Sequence, residues 1–444
     1  MSKQSSKSSY TLFPFLFLTF LYFLVGFLTT INGQFQGPLQ VAMLSKAGPM
    51  SNTFTTLVSL FFFLGYLLNS PLAGKWIDAK GYQTTMVRAL LCMTGGLLFY
   101  ALSSVVVNYW GEVRLHYEGG SVPWGYFVFL LGSFLMGTSA AILQVVINPY
   151  VSAYQLPGTR PAQRLNIVTA VNSFGTTIAP FFVTIVIFSG VSLDRVSVSQ
   201  LLVPFLVLAA VIAVVTFISA KVSLPDLSAT RADGGRALAR SIWSFRHLTL
   251  GVIAIFFYVG TEVSIGSNIN LHAIELSRED GLLTFFGHDR LIIGGMDMGI
   301  PALLATLYWG GFLVGRFVST FFPNFNPRKV LVATTLCATA LIVVSMATEN
   351  LWCLCAVGLF HSVMWSCIFT LSTKGLGVYT SKASGVFMMG VFGGAVFPVI
   401  QGLCADMAGS WRWTWIICIV CELVMLAYAL WGYKPREKDI VAND

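Results

Sequence analysis

Long apolar runs recur along the chain at the length a membrane-crossing helix needs, roughly 20 residues at a rise of about 1.5 Å each. They lie near residues 13–33, 53–73, 84–106, 124–151, 165–190 and 200–222, then near 248–272, 301–322, 329–348, 351–376, 383–407 and 411–432. The longest polar interval, Pro225 to His247, carries Arg231, Arg236, Arg240 and Arg246 with two glycines and reads as a solvated linker. Six spans precede it and six follow, which predicts an all-α membrane protein with twelve transmembrane helices built from a duplicated six-helix unit. The expected division is a first bundle over 1–224, a cytoplasmic linker over 225–247, a second bundle over 248–433 and a tail over 434–444.

Composition agrees with that pattern. Charged residues make up 10% of the 444, against about 25% in a typical soluble domain, while 56% are hydrophobic and 14% aromatic. These values exclude a cytosolic enzyme and a disordered chain. The net charge of +8 comes from 26 Lys and Arg against 18 Asp and Glu, and their placement decides its meaning. With the N-terminus cytoplasmic, eighteen basic residues fall on that side, among them Lys75, Lys80, Arg328, Lys374 and Lys434, and six on the other. The positive-inside rule then puts both termini in the cytoplasm and removes nucleic acid from the partners. The first span is too long for a signal-peptide core and lacks a small-residue cleavage site, so it reads as a retained anchor. Trp110, Trp124, Trp352, Trp411 and Trp413 fall at span ends, where indoles favour the interface. The eight cysteines sit within apolar runs as free thiols, without the spacing of a metal site.

A charge at the centre of a span costs at least about 2.5–3.5 kcal/mol, so each buried carboxylate needs a reason. Glu262 lies about 15 residues into the seventh span, in Tyr258-Val-Gly-Thr-Glu262-Val-Ser-Ile-Gly266-Ser-Asn268. The glycines around it, with Asn268, Asn270 and His272 beyond, suggest a helix that bends or unwinds around a substrate or a coupling ion. Glu422, midway along the last span, reads as a structural acid. Gln144 and Asn148, Thr169 and Asn172, and His361 and Trp365 recur at helical spacing on single faces. Amides, hydroxyls and an indole around one cavity suit a small neutral polyhydroxylated ligand, although any one amide is nearly as well explained by a helix-to-helix hydrogen bond.

The stretch after the second span, Gly74-Lys-Trp-Ile-Asp78-Ala-Lys80-Gly81, fits G-x-x-x-D-x-[RK]-G, and Gly315-Arg316 with Asn326-Pro-Arg328-Lys329 is its counterpart in the second half. That signature is similar to one of the major facilitator superfamily, in which two six-helix bundles enclose a central cavity. Gly74, Asp78, Lys80, Gly81 and Arg316 would then serve gating, with Asp78 latching the cytoplasmic side. The chain further resembles the L-fucose/proton symporter family in Asn148-Pro-Tyr150, in Arg164-Leu-Asn166 with Asn172-Ser-Phe-Gly175, and in Tyr258-Val-Gly-Thr-Glu262. The resemblance continues through Phe369-Thr-Leu, Lys374-Gly-Leu-Gly377, Gly393-Gly394, Pro398 and Ala405-Asp406-Met-Ala-Gly409. The Tyr-Val-Gly-x-Glu version is similar to the glucose, galactose and N-acetylglucosamine branch.

The resemblance implies a secondary transporter of a hexose or amino sugar, working as a monomer in a bacterial inner membrane with no bound cofactor. Asn32, Gln34, Gln144, Asn148, Thr169, Asn172, Tyr258, Glu262, Asn268, His361 and Trp365 would line its site. The chain departs from the family where acids are usual. Gly33 or Gln34 occupies the first-span acid position, Gln144 stands before Asn148-Pro149, and Thr169 replaces a fifth-span Gln. Either Glu262 carries coupling alone, with a proton ahead of sodium, or the driving ion is not a proton, or transport is uncoupled. Rival readings are a carrier of a cell-wall saccharide fragment or drug, and, from another class, a receptor or an enzyme acting on lipid-linked sugar. The enzyme reading needs paired acids, whereas Glu275, Glu279, Asp280, His288 and Asp289 are irregularly spaced and read as a solvated face. No nucleotide-binding glycine loop is present, which argues against an ATP-driven pump.

Overall fold

The computed structural model describes residues 12–154, 156–157, 161–187, 196–222, 240–278, 284, 288, 290–293, 296–319, 326–376 and 379–440. Twelve of its helical segments are long and apolar enough to cross a membrane, from Leu12–Ala42 to Arg412–Gly432. Helices α1 (Leu12–Gln34) and α2 (Gln36–Ala42) form the first span, and α3 (Ser51–Trp110) contains the second and third. Then come α4 (Trp124–Ala153), α5 (Pro161–Phe181) and α6 (Leu202–Lys221). The second half holds α7 (Arg246–Arg278), α8 (Ile300–Ser319), α9 (Pro327–Thr348), α10 (Trp352–Ser372), α11 (Thr380–Met389), α12 (Gly393–Ala408) and α13 (Ile416–Ala427). Two antiparallel hairpins, Arg114–Tyr117 with Gly120–Pro123 and Arg290–Ile293 with Met296–Gly299, decorate the face opposite the termini.

The break inside α3 falls on Gly81, at φ 81° and ψ 172°. That region is open to glycine almost alone, and a Cβ there would meet nothing within 4 Å, so the constraint is conformational. The stretch expected as a loop before Gly81 is helix up to this break; the surroundings of Gly74 and the side chain of Asp78 lie outside the described part, and Lys80 is exposed. In α5, Pro180 withdraws a backbone donor, and the next turns, Phe182–Ile187, widen into a π-helix.

Lipid supplies no hydrophobic drive between helices, so the bundle depends on close backbone approach and interhelical hydrogen bonds. A Cβ on Gly137 of α4 would lie 1.8 Å from the Phe62 carbonyl of α3, and one on Gly358 of α10 would lie 2.1 Å from the Tyr308 carbonyl of α8. Three residues after each aromatic comes a second glycine facing back: Gly65 against the Thr138 amide and Gly311 against the Leu359 amide. The same aromatic-x-x-Gly seam therefore packs the same pair of helices in each half, which is direct structural evidence of the internal repeat. Between the halves, α3 packs along α12 and α5 along α8. Apolar side chains such as Val203, Phe217, Phe317 and Leu336 are turned outward, as a lipid-facing surface requires.

Four expectations change. Helix α7 does not unwind: it continues from Arg246 to Arg278, because Gly260 and Gly266 are spent on close packing against Phe397 and Trp309. Trp411 is buried, unlike the exposed Trp110, Trp124 and Trp413, and Glu275 is no solvated acid, since its carboxylate accepts from the Trp411 amide and the Ser410 hydroxyl. Glu279, Asp280 and Asp289 lie outside the described residues, while His288 is exposed. The linker has a fastened end: residues 223–239, with Arg231 and Arg236, are not described, but Phe245 is buried and Arg240 pairs with the buried Asp439 of the tail at 3.2 Å.

Candidate functional site

The two halves meet where α5 packs along α8, beside Glu262 and Arg316. On the first side, the Gln144 amide donates to the Tyr66 hydroxyl at 2.8 Å, Thr29 and Tyr22 adjoin Tyr66, and the Asn148 side chain bonds to Tyr22. On the other side, the half-buried Glu262 has Tyr258 beside it and Arg316 and His361 within electrostatic range. Trp365 stacks on Phe369 at 5.3 Å and meets Phe387 edge-on. Gln144 and Trp365 each lie two turns beyond the seam glycine of their half, at equivalent places of the repeat. The Trp309 indole nitrogen has no hydrogen-bond partner among the described residues.

Arg316 joins the halves. Its guanidinium donates to the Ser173 hydroxyl and, at 3.3 Å, to the Thr169 carbonyl of α5, while Nε donates to the Ser362 carbonyl at 3.4 Å. An arginine offers five donors in a rigid fork, which suits three acceptors from two helices while its charge offsets that of Glu262.

On the face opposite the termini the halves are closed. Asp406, near the end of α12, accepts from the Asn52 amide at 3.0 Å and from the Thr53 amide and hydroxyl at 2.6 Å each. A carboxylate from one half thus caps the first turn of a helix in the other, where unpaired amides and the helix dipole favour an anion. Gln34 adds a second tie, donating to the Gly266 carbonyl at 3.1 Å and accepting from the Asn270 amide.

A model of the Major Facilitator Superfamily matches residues 15–397. The chain belongs to the major facilitator superfamily. It is a multi-pass membrane transporter and not an enzyme. It is 31% identical over 440 residues to a glucose/galactose transporter of Brucella abortus biovar 1 (strain 9-941), covering 98% of this chain and 97% of that one. It is 26% identical over 456 residues to the L-fucose-proton symporter of Escherichia coli (strain K12), covering 97% and 95%. Among solved structures, the E. coli fucose:proton symporter superposes with TM-score 0.64 at 24% identity over 95% of this chain and 98% of that one. The inward-open E. coli xylose transporter superposes with TM-score 0.67 at 11% identity, over 97% and 98%. The architecture of the superfamily, twelve helices in two six-helix bundles around a central cavity, is thereby shown.

Within this superfamily fold, the anticipated residues separate into groups. Gln144 and Asn148 join Tyr66 and Tyr22 in the first half, Tyr258 and Arg316 adjoin Glu262 in the second, and Trp365 packs on Phe369 and Phe387. Thr169 reaches Arg316 through its backbone carbonyl, and Asn172 is half-buried with its amide donated to the Tyr22 carbonyl at 2.8 Å. Asn32 is buried in the first half against the Tyr100 hydroxyl, and Gln34 ties the halves. Two expectations are corrected, because both side chains turn into the second bundle. The Asn268 amide donates to Gln401 at 2.9 Å, and the His361 ring, fully buried, is held by Tyr308 on one nitrogen and Glu422 on the other. Sequence reasoning missed Tyr22, Tyr66, Ser173 and Trp309, which look like any other polar-tipped or aromatic residue in an aromatic-rich span. It quoted Asp406 without a role, although an acid at a span end was a usable signal.

Proposed function

We propose that this transporter takes up a neutral sugar, a hexose or an amino sugar, by alternating access of its two bundles, as a cation-coupled symporter with the proton ahead of sodium. The single observation that carries the reading is the central surface itself. Hydroxyls of Tyr22 and Tyr66 with amides of Gln144 and Asn148 form one polar set in the first half, and in the second Arg316, which also reaches Tyr22 electrostatically, offsets the charge of Glu262. Amides and hydroxyls both donate and accept, which matches sugar hydroxyls, and an indole offers a flat face to the C–H side of a pyranose. The names of the relatives, a glucose/galactose transporter and a fucose-proton symporter, support the same substrate class. Coupling runs through Glu262, the acid nearest the sugar surface.

The moving units are residues 1–224 and 248–433, joined by the linker 225–247 and followed by the tail 434–444. The protein acts as a monomer in a bacterial inner membrane with both termini cytoplasmic. Purified protein in liposomes, given labelled glucose, galactose or N-acetylglucosamine under an imposed pH or sodium gradient, should concentrate one of them. Glu262→Gln should abolish uphill uptake; if that variant accumulates sugar as the wild type does, with unchanged pH and sodium dependence, the coupling role is wrong.

A further inference from the structure

The second bundle contains a titratable chain that the sugar surface does not use. Glu422 of α13 and His361 of α10 are both fully buried, with Glu422 Oε1 2.7 Å from His361 Nε2. His361 Nδ1 lies 2.9 Å from the Tyr308 hydroxyl, and that hydroxyl donates at 3.1 Å to the backbone carbonyl of Glu262. The chain thus runs from a deep carboxylate to the backbone of the acid in the central surface. We propose that the Glu422–His361 pair stores the coupling proton and that Tyr308 relays its state to Glu262, an inference that rests on the reading of the protein as a proton-coupled transporter.

Hydrogen-bond bookkeeping defines the two states. With the proton loaded, His361 is an imidazolium that donates from Nε2 to Glu422 and from Nδ1 to the Tyr308 oxygen, leaving the Tyr308 O–H to donate to the Glu262 carbonyl. With one proton released, His361 is neutral, Nε2–H keeps the Glu422 carboxylate, and Nδ1 becomes an acceptor. The Tyr308 O–H then turns to Nδ1 and leaves the Glu262 carbonyl. One proton therefore makes or breaks one hydrogen bond to the backbone that carries Glu262, with no other group changing charge. Burial favours the loaded state, in which the two charges compensate, and leaves the released state with the Glu422 carboxylate held by Nε2–H alone, so the conformational change has to drive release.

Other groups around the pair are accounted for. Tyr258 of α7 donates to the His361 carbonyl at 2.9 Å. Glu262 and Tyr258 approach Tyr308, Cys418 and Cys421 neighbour Glu422 on its own helix, and Arg316 of α8 is spent on α5 and Ser362 while facing Glu262. A route to the pair is visible on α7. Ser264 Oγ, Asn268 Oδ1 and His272 Nε2, four residues apart on one face, are buried without hydrogen-bond partners among the described residues, and so is Glu422 Oε2. This face meets the helix of Glu422: Trp415 donates to His272 Nδ1 at 3.0 Å, and Thr261 adjoins Cys418, four residues before Glu422. Buried polar groups of this kind are ordinarily satisfied by ordered water, which makes the row the candidate path from the end of α7 opposite the termini toward the pair.

The test uses liposomes containing wild type, Glu422→Gln or Tyr308→Phe, with labelled glucose and galactose. Two readouts are taken: sugar-for-sugar exchange without a gradient, and accumulation under a gradient of one pH unit, which supports about tenfold accumulation for one proton per sugar. Both variants should exchange at rates within about twofold of wild type, lose accumulation, and lose the pH dependence of net uptake. Wild type that ignores the pH gradient overturns proton coupling and this inference together. Coupled wild type with Glu422→Gln accumulating as steeply overturns this inference alone. Should Glu422→Gln fail to fold, Tyr308→Phe decides, since it removes a single hydroxyl and leaves the pair in place. Loss of exchange and of sugar-induced thermal stabilisation in both variants would make the chain merely structural and also overturn the inference.

Discussion

Arg316 is the residue on which the centre of the molecule turns. It bonds to Ser173 and Thr169 in the other half, to Ser362 in its own, and faces Glu262. Removing it takes from the Glu262 carboxyl the cation that offsets it, a loss of about 1–3 kcal/mol at the effective dielectric of a protein. Arg316→Ala should therefore lower the melting temperature and stop uptake. Adding Glu262→Gln should recover part of the stability and none of the transport. A double variant no more stable than Arg316→Ala in thermal unfolding would show that the two groups are not coupled. Arg316→Lys should also transport poorly, because one ammonium cannot serve three acceptors on two helices.

Among the elements, the seams of α3 with α4 and of α8 with α10 are set by glycine. With Cβ positions 1.8 and 2.1 Å from facing carbonyls, Gly137→Ala and Gly358→Ala must push helices apart, at about 1–3 kcal/mol each for overpacking. Gly81→Ala is a contrasting case, since its cost of about 1–3 kcal/mol is backbone strain alone. Thermal unfolding in detergent separates the mechanisms: at 137 and 358 a larger side chain should cost more than Ala, whereas at 81 Ala and Ser should cost the same, as nothing lies nearby.

For the whole molecule, the face opposite the termini is closed by Asp406 on the first turn of α3 and by Gln34 on α7. Opening that face must break these bonds, so Asp406 sets part of the balance between the two access states. Loss of a helix cap is worth about 1 kcal/mol, close to fivefold in an equilibrium. Asp406→Ala should raise, by about that factor, the labelling rate of Thr29→Cys with an impermeant maleimide applied to that face. An unchanged rate would remove Asp406 from the gate.

The sequence by itself determined the twelve spans, their division into halves, and Glu262 as the acid to explain, because hydrophobic length and the rarity of charge in lipid are local properties. It also paired Gln144 with Asn148 on one helical face, and both side chains bond to tyrosines of the first half. What it could not fix was which polar side chains look into the central space and which look into a bundle. Asn268 and His361 have the same composition of neighbours as true lining residues, and only the packing of α10, α12 and α13 against α7 turns them away. The pairing of Glu422 with His361, 61 positions apart, and of Asp406 with Asn52, 354 apart, belongs to tertiary structure for the same reason. A buried polar atom takes whatever partner the neighbouring helix brings within reach, and the hydrophobic pattern that places the helix is silent about that partner.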